Sequence, residues 1–156
     1  MTQAQTRFTT QGLVIKEMIV GESDRLVTLF TREYGILKAY APGAKSIKSK
    51  KGTATSLLTY SNFTINRKKD ILRIYEASPI AVFFTMGSDI KELSIAQYFC
   101  ELCLCFAQAE VKNEEMFRLI LNSLHFLTKE KRYPPLIKAI TELRIAVLSG
   151  YAPNLV

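Results

Sequence analysis

Apolar positions along the chain change their period near Met86. Before it they alternate, with β-branched residues and turn signals between the runs; after it they recur every three to four residues. The first texture predicts strands and the second helices, so the chain divides into a β part, 1–85, and a helical part, 86–156. Residues 10–19 predict a first strand, with Leu13 and Ile15 on one face and Val14, Lys16 and Met18 on the other. Gly21, Glu22, Ser23 and Asp24 make a turn, because glycine tolerates positive φ and Ser and Asp bond their own backbone. A second strand over 25–32 sets Val27 and Leu29 against Leu26, Thr28 and Phe30. Glu33, Tyr34 and Gly35 reverse the chain with Gly35 left-handed, and a third strand runs over 36–41. Residues 43–55 hold few large apolar side chains and are expected to be a loop that orders on binding. A fourth strand is expected over 57–67 and a fifth over 71–77, with Pro79 breaking it before 80–84. Five short, hairpin-linked strands predict a small closed barrel, OB-like by spacing, although periodicity alone does not separate it from an SH3-like one.

In the second part Ser88 is the expected N-cap of a helix reaching Ala109, with Ile95, Phe99, Leu102 and Phe106 on one face and Ala96, Cys100, Cys103 and Ala107 widening it. Asn113 is the expected cap of a second helix through Lys129. Pro134 starts a third at a position where no donor is lost. Its core face is read as Ile137, Ile140, Leu143 or Arg144, and Val147, with Gly150 closing it. The fold class is therefore α+β: a five-stranded barrel followed by a bundle of three or more helices.

Charge sharpens this picture. The 156 residues sum to +7, from 21 Lys and Arg against 14 Asp and Glu. The window 34–69 contains eight Lys and Arg and no acid, so it carries +8 and the remainder is −1. A field of one sign confined to one segment calls for a polyanion or an acidic partner. The residues expected to meet it are Arg25, Lys38, Lys45, Lys48, Lys50, Lys51, Arg67, Lys68 and Lys69, crowded at one corner of the barrel. Each lysine near a phosphate releases a counterion, and lysine suits backbone attraction better than base reading. Tyr34, Tyr40, Tyr60, Phe63 and Tyr75 interleave with these cations; Tyr40 and Tyr60 are the better candidates for stacking on bases, the others for filling the barrel. A second cluster, Lys129, Lys131, Arg132 and Lys138 with Tyr133, lies between helices two and three. It reads either as a dipole cap or as a dock for a partner's acidic tail.

Other chemistry is sparse. Cys100, Cys103 and Cys105 cannot converge on a metal from one helix, since Cys105 lies about 200° around from Cys103 at 100° per residue. An odd cysteine count without a spaced framework reads as a reducing compartment. His125 is the single histidine, and no catalytic constellation or phosphate-binding glycine loop is recognisable, which argues against an enzyme and against a small-molecule substrate. The polar start MTQAQTRFTT is no signal peptide, and no apolar run approaches the roughly 20 residues of a membrane span. A cytoplasmic, nucleoid-associated protein is expected, with no membrane partner.

The run Gly21-Glu22-Ser23-Asp24-Arg25-Leu26-Val27-Thr28-Leu29-Phe30-Thr31, then Gly35, then Ala41-Pro42-Gly43-Ala44-Lys45 resembles the N-terminal half of the bacterial DNA repair protein RecO family. The final Gly150-Tyr151-Ala152-Pro153 resembles that family's segment after the helical bundle. The resemblance implies an OB-fold joined to a helical domain. It also implies binding of single- and double-stranded DNA, strand annealing, and work with RecR and single-stranded-DNA-binding protein in loading RecA. The family's cysteine-bearing zinc segment would begin where this chain stops, at Val156, so no cofactor is expected here, and the chain reads as a truncated form or a naturally short member. Two other readings of the same charge remain: a basic barrel serving RNA or ribosomes, and an adaptor for acidic protein tails.

Overall fold

A computed structural model describes residues 5–46, 49 and 51–151. Five strands are present: β1 (Thr6–Val20), β2 (Asp24–Thr31), β3 (Gly35–Ala41), β4 (Thr59–Lys68) and β5 (Ile71–Val82). They close into a barrel in the order β1-β2-β3-β5-β4, with only the β3–β5 pair parallel. This is the expected five-stranded, OB-like barrel. Three long helices follow, α2 (Ile90–Phe106), α3 (Glu114–Thr128) and α4 (Pro134–Leu148), and a single-turn α1 (Lys51–Ala54) lies between β3 and β4. None of the described helices is long and apolar enough to cross a membrane.

Alternation along the strands sorts their side chains into two cores. Val14, Val27, Leu29, Leu37, Ala39, Phe63, Ile65, Leu72 and Ile74 fill the barrel. The opposite parity, Leu13, Ile15, Phe30 and Ile36, leaves the barrel outward and packs against Phe99, Cys103, Phe117, Ile120 and Leu124 of α2 and α3. A register shift between Val14 and Lys16 lets neighbouring positions of β1 serve both cores. The helical part thus shares its main core with the outside of β1 and β2.

The join is tied by backbone as well as by apolar contact. Ile36 N donates to Gln108 O at 3.2 Å and Glu110 N to Ile36 O at 3.1 Å, stitching the α2–α3 connection along the start of β3. Gly35 makes this approach possible: its φ is +64°, as expected, and a Cβ there would collide with the carbonyl oxygens of Val111 and Gln108. Arg32 adds a polar bolt. Its guanidinium reaches Glu114 at 3.3 Å and the Tyr60 hydroxyl at 3.4 Å, and sits 5.3 Å from the Phe117 ring centre. The bond to Tyr60, then the nearby Glu114 carboxylate, raise its pKa above the ordinary arginine value against the opposing cost of burial.

Several expectations are corrected. Residues 51–54 are helical rather than loop: KGTA carries no apolar period, and the turn is held instead by Thr55 and Ser56 hydroxyls donating to Lys51 O and Gly52 O. β5 does not break at Pro79. Pro79 sits opposite Ser61 beside a register shift, where a missing N–H costs the ladder nothing. Asp89, not Ser88, caps α2, accepting from Lys91 N at 2.7 Å, while Ser88 Oγ accepts from Thr85 N. Asn113 caps α3, Pro134 opens α4 and Gly150 is left-handed, as expected. The core face of α4 is Ile137, Thr141 and Ile145, so Ile140, Leu143 and Val147 lie exposed.

Candidate nucleic-acid interface

The helices cover the outside of β1 and β2, which leaves the outer wall formed by β4, β5 and β3 open. Ladder register defines one row across it: Arg7 of β1 faces Asn66 of β4, Asn66 faces Arg73 of β5, and Arg73 faces Tyr40 of β3. All four have the outward parity, opposite to Ile65, Leu72, Ile74 and Ala39. Arg7 Nε donates to Asn66 Oδ1 at 2.8 Å, and its guanidinium lies 4.0 Å from the Tyr75 ring centre. Tyr40 and Tyr75 are 41% and 48% exposed, so each offers a ring face or edge to solvent beside a guanidinium. Lys38 projects outward two residues before Tyr40. Lys68 and Lys69 are exposed at the β4–β5 turn, beside a groove of about 560 Å³ that also touches Asn66, Ile71 and Arg73. On the other side of Tyr75 a groove of about 920 Å³ crosses β1, β4 and β5 over Thr9, Gln11, Asn62, Thr64 and Ser78.

The two motifs that are separate in sequence become one unit at the far end of β3. Asp24 Oδ1 accepts from Gly43 N at 2.8 Å, and Lys45 N donates to Ser23 O at 2.9 Å. Arg25 pairs with Ala41 in the ladder and sends Nη1 to Gly52 O at 2.7 Å and Thr55 Oγ1 at 3.1 Å. The turn between β1 and β2 therefore holds the chain leaving β3 and anchors α1. Asp24 is a buttress here, and the guanidinium of Arg25 is spent on internal acceptors. Lys51 is half-buried with Nζ on Ile74 O at 3.1 Å, and Lys45 is exposed. Lys48 and Lys50 lie outside the described residues.

The described cations line one stretch of this wall. Parallel pairing of Tyr40 with Arg73 sets Ile71 level with Lys38 and the β4–β5 turn level with the first half of β3, while Lys45 follows its end. The part of β3 between them, from about Leu37 to Ala41, spans roughly 13 Å at 3.3 Å per residue. The result is a band, running Lys68, Lys69, Lys38, Arg73 and Tyr40 toward Lys45. Sequence reading missed Arg7 and Arg73, although the alternation Ile71, Arg73, Tyr75 against Leu72 and Ile74 carries the signal for the second. Arg67 is paired with Glu110 of the α2–α3 connection. Among the described residues Arg7, Lys38, Lys45, Lys68, Lys69 and Arg73 have no carboxylate within ion-pair distance; Asp70 and Glu76, the acids that flank the last three in sequence, are exposed.

The aromatic residues divide. Tyr60 is corrected as a stacking candidate: its hydroxyl donates to Gln11 Oε1 at 2.6 Å and its ring meets Phe117 at 6.0 Å, under α3. Phe63 is inside the barrel, and Tyr34 packs edge-on to Phe8. The second cationic cluster is largely engaged within the chain. Lys129 Nζ donates to Val82 O, Lys131 pairs with Glu92, Arg132 pairs with Glu130 and lies over Phe126, and Lys138 pairs with Glu142. Tyr133 stands exposed beside them.

The cysteines do not form a metal set. Cys100 and Cys103 are buried in the shared core and Cys105 is exposed, and among the described residues no three His, Cys, Asp or Glu side chains converge. Burial pushes the Cys100 thiol up to about 12, with Glu101 adding to it, and raises Cys103 well above the ordinary thiol value. Among the described residues, therefore, no donor set fits a zinc ion.

Strand order, the open cationic wall and the bundle docked on the opposite side define an OB-type barrel protein with an attached helical part. Residues 2–83 match the family model described as Recombination protein O N terminal, and residues 87–156 match Recombination protein O C terminal. The chain belongs to the recombination protein O (RecO) family. It is 33% identical to the DNA repair protein RecO of Acetivibrio thermocellus over 92% of its own length and 57% of that protein's. It is 33% identical to that of Caldicellulosiruptor bescii over 91% and 58%, and 31% identical to that of Clostridium novyi over 92% and 56%. The chain thus spans somewhat more than half the length of these curated relatives.

Proposed function

We propose that the chain is a non-enzymatic DNA-binding recombination mediator. The observation that carries this reading is the open wall: Arg7, Lys38, Lys68, Lys69 and Arg73, none with a carboxylate in ion-pair distance among the described residues, flank two exposed tyrosines on one face of the barrel. Lysines and arginines along a band attract a phosphate backbone, and Tyr40 and Tyr75 provide stacking faces for unpaired bases. The relatives' name, DNA repair protein, favours DNA over RNA as the polyanion. In this reading single- and double-stranded DNA are both ligands, the first using the tyrosines and the second the charge alone. Strand annealing follows from holding two backbones close. RecR, single-stranded-DNA-binding protein and the RecA pathway are the partners, acting in the cytoplasm at the nucleoid.

The test is a fluorescence-anisotropy titration with matched DNA and RNA strands over a salt series. The expected result is preference for DNA and a log–log salt slope of about −0.7 per phosphate contacted on single strands. An affinity unchanged between low and moderate salt would sink the reading, and preference for RNA would transfer it to the ribosomal alternative.

A further inference from the structure

Beyond the row that joins Arg7, Asn66 and Arg73 the open wall changes character. The next outward row is Thr9, Thr64 and Glu76, and the one after it Gln11, Asn62 and Ser78. Such rows succeed one another at about 7 Å, two residues of strand. A register shift between Thr64 and Ile65 leaves Tyr75 as the extra residue between the cationic row and its neighbour. The two neutral rows floor the groove of about 920 Å³. The cations that touch this groove are engaged: Arg32 with Glu114 at 3.3 Å, and Lys51 with Ile74 O at 3.1 Å. Of its two acids, Glu33 is paired with Lys112, while Glu76 is exposed. Phosphates are therefore drawn to the cationic row and repelled from the groove. The Arg7 guanidinium takes one face of the Tyr75 ring, and Tyr75 also lines the groove, which leaves the other face for a base. A single strand laid along the cations turns its bases into the groove.

One donor in this groove is held in place. The Tyr60 hydroxyl accepts from Arg32 Nη2 at 3.4 Å, and a guanidinium can only donate. The hydroxyl's own proton is thus left for Gln11 Oε1, at 2.6 Å. With its oxygen committed, Gln11 offers the groove its amide nitrogen, which has no partner among the described residues. Asn62 has neither amide atom bonded among the described residues, so it can turn either way and serve any base. We propose, building on the DNA-binding function above, that Gln11 is the specificity-determining residue of a base subsite in this groove. It favours bases that present a carbonyl acceptor, thymine and guanine, over those that present an exocyclic amine in its place, cytosine and adenine. A fixed N–H meets thymine O4 or guanine O6 as a hydrogen bond, and meets the amine of cytosine or adenine as two opposed donors. Tyr60 is a positioning residue, since it acts through Gln11.

The experiment compares fluorescence anisotropy of labelled oligothymidylate and oligocytidylate, equal in length, with wild type, Tyr60→Phe, Gln11→Glu and Glu76→Gln. Flexibility and stacking of the two strands are the same for all four proteins, so the change in their affinity ratio carries the result. Wild type is expected to bind oligothymidylate roughly threefold to tenfold more tightly, the worth of one hydrogen bond. Tyr60→Phe frees the Gln11 amide to turn over, and is expected to bring the two affinities within about twofold. Gln11→Glu replaces the donor by an acceptor, and is expected to reverse the preference. A loosened fold cannot reverse a preference, which keeps that variant decisive. Salt-dependent binding with equal wild-type affinities, or a ratio indifferent to Tyr60→Phe and Gln11→Glu, overturns the proposal and leaves the DNA-binding function standing. A wild-type preference for oligocytidylate that Glu76→Gln abolishes also overturns it, assigning the reading to a carboxylate that accepts from the cytosine amine. Absence of salt-dependent binding to either strand removes the DNA-binding function and this subsite with it.

Discussion

The chain holds cations in two places and treats them differently. At the turn between α3 and α4, Lys129, Lys131, Arg132 and Lys138 are each satisfied by a carbonyl or carboxylate of the same chain. Along the β4–β5–β3 wall, Lys38, Lys68, Lys69 and Arg73 have no such partner among the described residues. The first set joins elements: Lys129 reaches the end of β5, and Lys131 reaches α2. The second set leaves its field pointing into solvent. In the proposed reading it is freedom of the charges, and not the number of lysines, that would mark a polyanion site, because a cation already neutralised by a carboxylate displaces few of the counterions condensed on a phosphate backbone.

The sealed and open sides of the barrel respond differently to mutation. Gly35→Ala carries the largest expected effect. It forces a methyl against two carbonyl oxygens and a side chain into left-handed backbone, and should cost at least about 3 kcal/mol of unfolding free energy by denaturant titration. Stability within about 0.5 kcal/mol of wild type would mean that the join between the barrel and the α2–α3 connection is looser than described. Tyr40→Ala and Tyr75→Ala come next. Each should weaken single-strand binding by about 1–3 kcal/mol and duplex binding far less, leaving thermal stability nearly unchanged. Equal losses on both substrates would remove the stacking role and leave charge alone. Lys69→Gly is the smallest and has two signs. Lys69 sits at φ +55°, so glycine should stabilise the fold by about 1 kcal/mol while reducing the single-strand salt slope by about 0.7. Loss of stability there would show that the turn is held by a contact of the lysine side chain.

Much of this was legible from residues. Alternation located the barrel strands, and the shift of period near Met86 anticipated the change to helices. Gly35, Asn113 and Pro134 carried their local roles openly, because φ freedom, capping and a missing N–H are properties of single residues. What escaped was set by tertiary context. The α1 turn is four residues without an apolar period and is held by hydroxyls. Pro79 stays in β5 because a register shift absorbs it. On α4 two apolar stripes compete, and the buried one contains Thr141, whose hydroxyl finds Ser123 on another helix. The site shows the same divide. Lys38, Tyr40, Lys68 and Lys69 lie on the open wall, while Arg25 and Tyr60 belong to internal networks that no one-dimensional charge count reveals. Arg73 was overlooked because the acid-free window ends at Asp70, three residues before it.

The most direct measurement compares salt slopes for single-stranded DNA among three proteins: wild type, Lys38→Ala/Lys69→Ala/Arg73→Ala, and Lys129→Ala/Lys131→Ala/Arg132→Ala. If free charge on the open wall makes the site, the first triple change lowers the slope by about 2 and weakens binding more than tenfold at low salt. The second triple change then keeps the wild-type slope while losing stability. Equal slopes in all three proteins, or the greater loss in the helical triple, would contradict the account.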